Sequence, residues 1–297
     1  MLLVFGESRF QLWDIFTQTQ IADIQLDPDI IIFNFYFSAN SELFAVSTND
    51  FVRGWNAQTG EIAWSIRSPH GILRYFVFRP DNNMIAFAGD GVIQRTDDEL
   101  VILWDIEEDR EIARLSHPGV NQIRFSPDGR YLYTLNTGNG HINVWDFESD
   151  DVASLSPVEV RESQEIGVLT AEFAINNLLV YELATTRGDR SVIWDVEAEE
   201  AYNLELLPKR GLPLVPGGRI LGALDYGGML FYDILTGDYY TFIEDFNTIV
   251  LTPNESLILT NKDNSIIQFY ALESEEVLKT MICEATCAFA VSPDGKF

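Results

Sequence analysis

Two cysteines, Cys283 and Cys287, and three histidines are all that this 297-residue chain offers for thiolate or imidazole chemistry. Two thiols are too few for a disulfide framework and point to a reducing compartment, so a cytoplasmic location is expected. They stand four residues apart with no third ligand near them, which falls short of a zinc site. Buried free thiols are the expectation. The histidines are scattered and sit beside no nucleophile motif. GxSxG, HExxH, the P-loop and the dinucleotide glycine fingerprint are all missing. No cofactor, no metal and no catalysis are expected. No apolar run approaches the roughly 18 residues of a membrane-spanning helix. The opening MLLVFGESRF lacks the basic start, long apolar centre and cleavage site of a signal peptide. Basic residues are scarce as well: 19 against 46 acidic, a formal net charge of −27. Such a field favours solubility and argues against nucleic acid, whose binding depends on neutralising phosphates.

What the chain does have is apolar material and turn signals. Hydrophobic residues make up 46% and aromatic residues 12%, enough for a sizeable core. The most regular stretch runs from His117 to Asp146 and reads HPGVNQIRFSPDGRYLYTLNTGNGHINVWD. Val120 to Phe125 reads as a strand that ends in Ser126-Pro127-Asp128-Gly129, where Pro and Gly occupy the second and fourth places of a tight turn. Tyr131 to Leu135 suits a pleated surface. Gly138-Asn139-Gly140 supplies residues that tolerate positive φ in a short hairpin. Ile142 to Trp145 closes the unit on Trp-Asp.

The unit recurs. The closing aromatic is found at Trp13, Trp55, Trp104, Trp145, Trp194, Tyr232 and Tyr270, with spacings of 42, 49, 41, 49, 38 and 38. The first turn recurs in register, at Ser38-Ala39-Asn40, Arg79-Pro80-Asp81, Ser126-Pro127-Asp128, Ala174-Ile175-Asn176, Val215-Pro216-Gly217, Thr252-Pro253-Asn254 and Ser292-Pro293-Asp294. Hairpin-linked strands closing on Trp-Asp at this period resemble the blades of the WD-repeat β-propeller family, whose repeat is roughly 40–45 residues. The resemblance covers the whole chain. It implies an all-β, seven-bladed propeller of four-stranded antiparallel blades, folded as one domain over 1–297 and as a monomer.

The first repeat, residues 1–26, holds only three strands, and its inner strand is missing. A strand around Cys287 to Val291 stands at the far end. Blade one is therefore expected to be built from 1–26 plus about 285–297, with the C-terminal strand closing the ring and leaving no open edge. Two insertions are expected, at Gly89 to Glu99 and about Ser156 to Ile166, with the outer strand of the fourth blade at Val152 to Leu155. The resemblance also implies a buried network of His, Ser or Thr, Asp and Trp. His117, Thr134 and Trp145 fit three of its places, with Asn139 where Asp is usual. His70, Asp98 and Trp104 fit another three, and Ser47, Asp50 and Trp55 a third set. The seven closing aromatics are read as structural.

In such blades the connections after strands two and four share one face, here called the top. Those after strands one and three share the other. The connections after strand three are strongly acidic: Asp105 to Glu111, Asp146 to Asp151, Asp195 to Glu200 and Glu273 to Glu276. The top gathers Arg95, Arg161, Arg187 and Arg210 among carboxylates. The resemblance implies a non-catalytic scaffold that binds a protein or peptide, with these four arginines as candidate contacts. Two alternatives stay open. One is a regulatory or sensor propeller cut from a longer kinase, protease or NTPase fusion. The other is a propeller enzyme with a central-channel site.

Overall fold

The computed structural model describes all residues except 1, 6–8, 15–18, 68–71, 91–99, 148–157, 161–166, 185–189, 203–211, 214, 216, 226, 245, 247, 253, 263–265, 273, 275 and 283–297. Among the described residues the regular structure is β-strand apart from one 3-10 turn at Ile175–Asn177. The chain divides into two compact units, Met1–Arg161 and Glu162–Phe297. The first holds four antiparallel sheets. They are β1 (Leu2–Phe5), β2 (Arg9–Asp14) and β3 (Thr19–Gln25); β4 (Ile32–Phe37), β5 (Leu43–Thr48), β6 (Val52–Asn56) and β7 (Ile62–Ile66); β8 (Ile72–Phe78), β9 (Met84–Asp90), β10 (Leu100–Asp105) and β11 (Arg110–Ser116); and β12 (Gln122–Phe125), β13 (Tyr131–Asn136), β14 (His141–Asp146) and β15 (Val158–Val160). The second holds three: β16 (Gly167–Phe173), β17 (Leu179–Ala184), β18 (Arg190–Asp195) and β19 (Glu200–Tyr202); β20 (Leu212–Pro213), β21 (Ile220–Asp225), β22 (Gly228–Asp233) and β23 (Tyr239–Glu244); and β24 (Thr248–Leu251), β25 (Leu257–Lys262), β26 (Ile266–Ala271) and β27 (Val277–Ile282). Every sheet is a meander in chain order. Six have four strands, and the first has three. The segment 285–297, expected to complete that first sheet, lies outside the described residues.

One expected strand is corrected. The outer strand of the fourth sheet is Val158–Val160, not Val152 to Leu155, and it pairs Ile142 with Val160 and Val144 with Val158. The extra length of this repeat therefore precedes β15. It belongs to the connection after strand three, and only 161–166 remain after strand four. In the third sheet, β9 runs two residues into the expected insertion, through Gly89 and Asp90.

The turns after the inner strands of the second, fourth and seventh sheets share one chemistry. Ser126 Oγ donates to Asp128 Oδ1 at 2.6 Å and accepts from the Tyr131 backbone at 2.9 Å. Ser38 does the same with Asn40 and Leu43, and Thr252 donates to Asn254. The hydroxyl in the first place and the Asp or Asn in the third thus tie the turn across itself. Turns of neighbouring sheets within a unit also hold one another. The Ala39 backbone donates to Asn82 Oδ1 at 3.0 Å, and Arg79 Nε donates to the Gly129 carbonyl at 2.9 Å. Gly129 has φ of 76°, and a Cβ there would press on Arg79 at 3.2 Å. In the second unit the Glu255 carboxylate accepts from the Arg219 and Ile220 backbones at 2.9 and 2.8 Å.

The closing aromatics sit at a recurrent irregularity. At Trp13, Trp55, Trp104, Tyr232 and Tyr270 the pairing of strand three with strand four slips by one residue. A bulge of this kind bends the strand and re-aims the side chain. Packing then follows on both faces of a sheet. Phe44 stacks on Trp55 at 5.2 Å, and Phe10 of the first sheet meets both rings edge-on. The other face of the second sheet buries Trp64 with Phe76, Phe78 and Phe87 of the third. Gly54 lies opposite Trp64, and a Cβ on it would come within 2.3 Å of the indole. Trp145 packs with Met84, Leu103 and Ile123 between the third and fourth sheets. Each large apolar side chain so buried contributes about 1.5–3 kcal/mol, so a lone sheet with both faces wet has nothing to hold it.

Candidate binding surface

The closing aromatics differ in burial. Trp55 and Trp145 are buried, and Trp104, Trp194, Tyr232 and Tyr270 are half-buried. The side chain of Trp13 lies outside the described set; its backbone pairs with Leu2. In the fourth sheet, Trp145 Nε1 donates to Thr134 Oγ1 at 3.1 Å, and Thr134 Oγ1 lies 2.6 Å from His117 Nδ1. Thr134 accepts from Trp145, and its own proton can go to His117 Nδ1 when the imidazole is neutral with Nδ1 bare. The imidazole proton is then on Nε2, which is buried with no hydrogen-bond partner among the described residues. Asn139 does not fill that place, because its Oδ1 accepts from the His141 backbone. Burial, and secondly the charge of His141, pushes the His117 pKa down to about 4.

The network does not extend to the other expected sets. Ser47, Asp50 and Trp55 do not come together. Trp55 pairs with Phe44, three residues from Ser47, so the two side chains leave opposite faces of the sheet. Ser47 Oγ bonds to the Arg74 carbonyl and Asp50 pairs with Arg67. The place equivalent to Thr134 is Val46 in this sheet and Phe87 in the third. Trp104 Nε1 turns instead to Asp109 at 3.3 Å, while Trp194 Nε1 is buried without a partner among the described residues. His70 and Asp98 lie outside the described set.

The Asp or Asn that follows the aromatic has a role that sequence reading missed. Asp195 Oδ1 accepts from the Glu197 and Ala198 backbones, both at 3.0 Å, and Asp105 Oδ1 from Glu108 at 2.9 Å. Asp233 caps Leu235 and Thr236 and also receives Tyr240 and Arg219. Burial raises its pKa, but those bonds outweigh burial and hold it below the ordinary value. Asp146 is gripped by Arg130 at 3.2 and 3.0 Å. A small residue able to accept several N–H groups, followed by a buried apolar residue such as Ala57, Phe147, Val196 or Ile234, was the available signal. Part of the acidity of these connections therefore belongs to the turns themselves.

Arg95, Arg161, Arg187 and Arg210 lie outside the described residues. The strand bounds place all four on connections after strand two or four: β9 to β10, β15 to β16, β17 to β18 and β19 to β20. Cys283 and Cys287 are outside the described set as well. Among the described residues no group of three His, Cys, Asp or Glu is placed to hold a metal, and no helix is long and apolar enough to cross a membrane. A concavity of about 530 Å³ opens between the turns of the second and third sheets, lined by polar side chains including Asn40, Asn56, Asn82 and Asn83.

The family described as WD domain, G-beta repeat matches residues 110–146, from β11 through the Trp145-Asp146 pair. One repeat of this chain thus resembles a WD repeat, and that match covers only residues 110–146. Outside that match, each four-stranded sheet carries an aromatic at the end of its third strand, and the three-stranded first sheet carries Trp13 at the end of its second. The Coronin-like protein of Saccharomyces cerevisiae is 26% identical over 296 residues; the match spans 97% of this chain and 35% of the yeast protein. Among solved structures, the computationally designed Ika8 protein superposes with a TM-score of 0.66 at 13% identity, covering 96% of this chain and 87% of that one. The Cps50 (Swd1) β-propeller domain of Myceliophteria thermophila gives 0.57 at 12% identity, covering 84% and 86%. At such identities the likeness is one of fold: an all-β propeller with seven antiparallel sheets.

Proposed function

We propose that this chain is a non-catalytic scaffold of WD-repeat type that binds a protein or peptide through the connections after strands two and four. The observation that carries the reading is a division of charge. Arg95, Arg161, Arg187 and Arg210 all fall on those connections, whereas carboxylates after strand three, such as Asp105, Asp195 and Asp233, are taken up by their own turns. Arginine is enriched at interface hot spots, and mixed charge permits paired, specific contacts. Loops held by a β framework lose little freedom on binding. The longest such connections are those between β9 and β10 and between β19 and β20, nine residues each. The extra residues of the fourth repeat do not support the reading, because they precede β15.

The test compares two variants against a captured partner. One replaces the four arginines with glutamine. The other neutralises Glu148, Asp150, Asp151, Glu197, Glu199 and Glu200, sparing Asp146 and Asp195 because they hold the fold. Loss of affinity in the arginine variant alone supports the proposal. Loss in the second variant alone, with binding that fades as salt rises, assigns the acidic face instead. A second reading, a regulatory propeller within a longer multidomain chain, draws on the yeast relative, of which this chain spans 35%.

A further inference from the structure

In the second sheet Arg53 lies close to an ion pair between Arg67 and Asp50. Arg53, on β6, faces Ser65 across the pair with β7, and its Nε donates to Ser65 Oγ at 3.0 Å. Its guanidinium lies 4.1 Å above the Phe51 ring, which with Ser65 fixes the plane of the group. Among the described residues its Nη atoms have no hydrogen-bond partner. Arg67 follows β7 directly and pairs with Asp50 at 3.3 Å. Burial, and secondly the charge of Arg67, lowers the Arg53 pKa, with Asp50 opposing. Arg67 stands two residues beyond Ser65, on the same face of the sheet as Arg53, so the two cations are diagonal neighbours across the pair.

Asp50 belongs to the connection after strand two, and Arg67 opens the connection after strand four, so the pair lies on the proposed binding face. Asn49 joins this site to Ile31 through bonds of 2.9 and 3.1 Å, and Ile31 is 58% exposed. A fixed donor fork and a second cation thus stand on a segment that is tied, through Asn49, to an exposed apolar residue. In a chain of net charge −27, a local surplus of positive charge is the exception. A short carboxylate-bearing segment satisfies both guanidiniums at contact range. A long polyanion meets the repulsion of the rest of the surface.

We propose that Arg53 and Arg67 receive the side-chain carboxylate of an acidic segment in a protein partner. This rests on the scaffold reading, and narrows it to one site and one partner chemistry. The probe is a fluorescein-labelled peptide of alternating Glu and Ser, with its Gln counterpart as control, titrated into the full 297-residue chain and followed by anisotropy. The Glu peptide should bind and the Gln peptide should not. Arg53→Gln and Arg67→Gln should each weaken binding about ten-fold, the worth of one charge-assisted contact. Asp50→Asn should strengthen it several-fold, because it removes the resident competitor. Thermal melts confirm that each variant is folded. Equal binding by the arginine variants, equal binding of the Gln peptide, or displacement by inorganic phosphate at equimolar concentration overturns the inference. No binding of the Glu peptide to the unmodified chain also overturns it. The scaffold reading is judged separately, by the four-arginine variant and its captured partner.

Discussion

Trp145 donates its indole hydrogen to the Thr134 hydroxyl at 3.1 Å across a single hairpin, and that contact is buried. It joins the closing aromatic of the most regular repeat to its second strand. Because the same hydroxyl lies 2.6 Å from His117 Nδ1, three side chains depend on one oxygen. Thr134→Val should leave the Trp145 N–H and the His117 ring nitrogen unpaired, at a cost of about 2–4 kcal/mol. Thr134→Ser, which keeps the oxygen, should cost less than half of that. Urea melts of the two variants decide it, and equal losses would mean that the methyl group rather than the hydroxyl matters.

His117 makes stability depend on pH. Its native pKa is about 4 and its unfolded value is the ordinary 6.5. Below the unfolded value the unfolded chain takes up a proton that the native chain refuses, so acid favours unfolding. This contribution is fully present above 6.5 and falls as pH drops towards about 4, by about 1.4 kcal/mol per unit. Carboxylates titrate in part of that window, so the comparison is with His117→Gln, whose stability should fall less steeply. Parallel curves for the two proteins would contradict the assignment.

Gly54 is held to glycine by the indole of Trp64, not by its backbone angles. Gly54→Ala should cost about 1–3 kcal/mol by overpacking. Paired with Trp64→Leu, the loss should be smaller than the sum of the two single losses, because the smaller side chain makes room. Additive losses in a denaturant double-mutant cycle would contradict direct contact as the cause.

Closure of the first sheet by residues 285–297 remains the expectation for a segment outside the described residues. Deleting them should remove several kcal/mol from a total of roughly 5–15. Unchanged melting of the truncated chain would contradict closure.

Most strands were legible because two-residue alternation and turn chemistry agree. Ile72–Phe78 and Thr248–Leu251 fall where the pattern placed them. Val158–Val160 was missed because Val152 to Leu155, four residues, and Val158 to Val160, three, are both short and partly apolar. Pairing with β14 decides between them, and a local pattern does not contain that pairing. The incomplete His–Thr–Trp network was legible from residue types. The false set at Ser47 and Trp55 was not, since register alone sends those side chains to opposite faces. The Arg53–Arg67 pair escaped notice because its residues stand 14 apart and meet only when β6 pairs with β7. The charge division was legible as a count, but the turn-capping role of Asp105 and Asp195 appears only with the hydrogen bonds.

The central claim is that partners bind at the connections after strands two and four. Hydrogen–deuterium exchange of the chain with and without its partner tests it most directly. The account predicts slowed exchange in 91–99, 161–166, 185–189 and 203–211. It predicts little change in 106–109, 147–157 and 196–199. Protection confined to the second group, with the first unchanged, would contradict it.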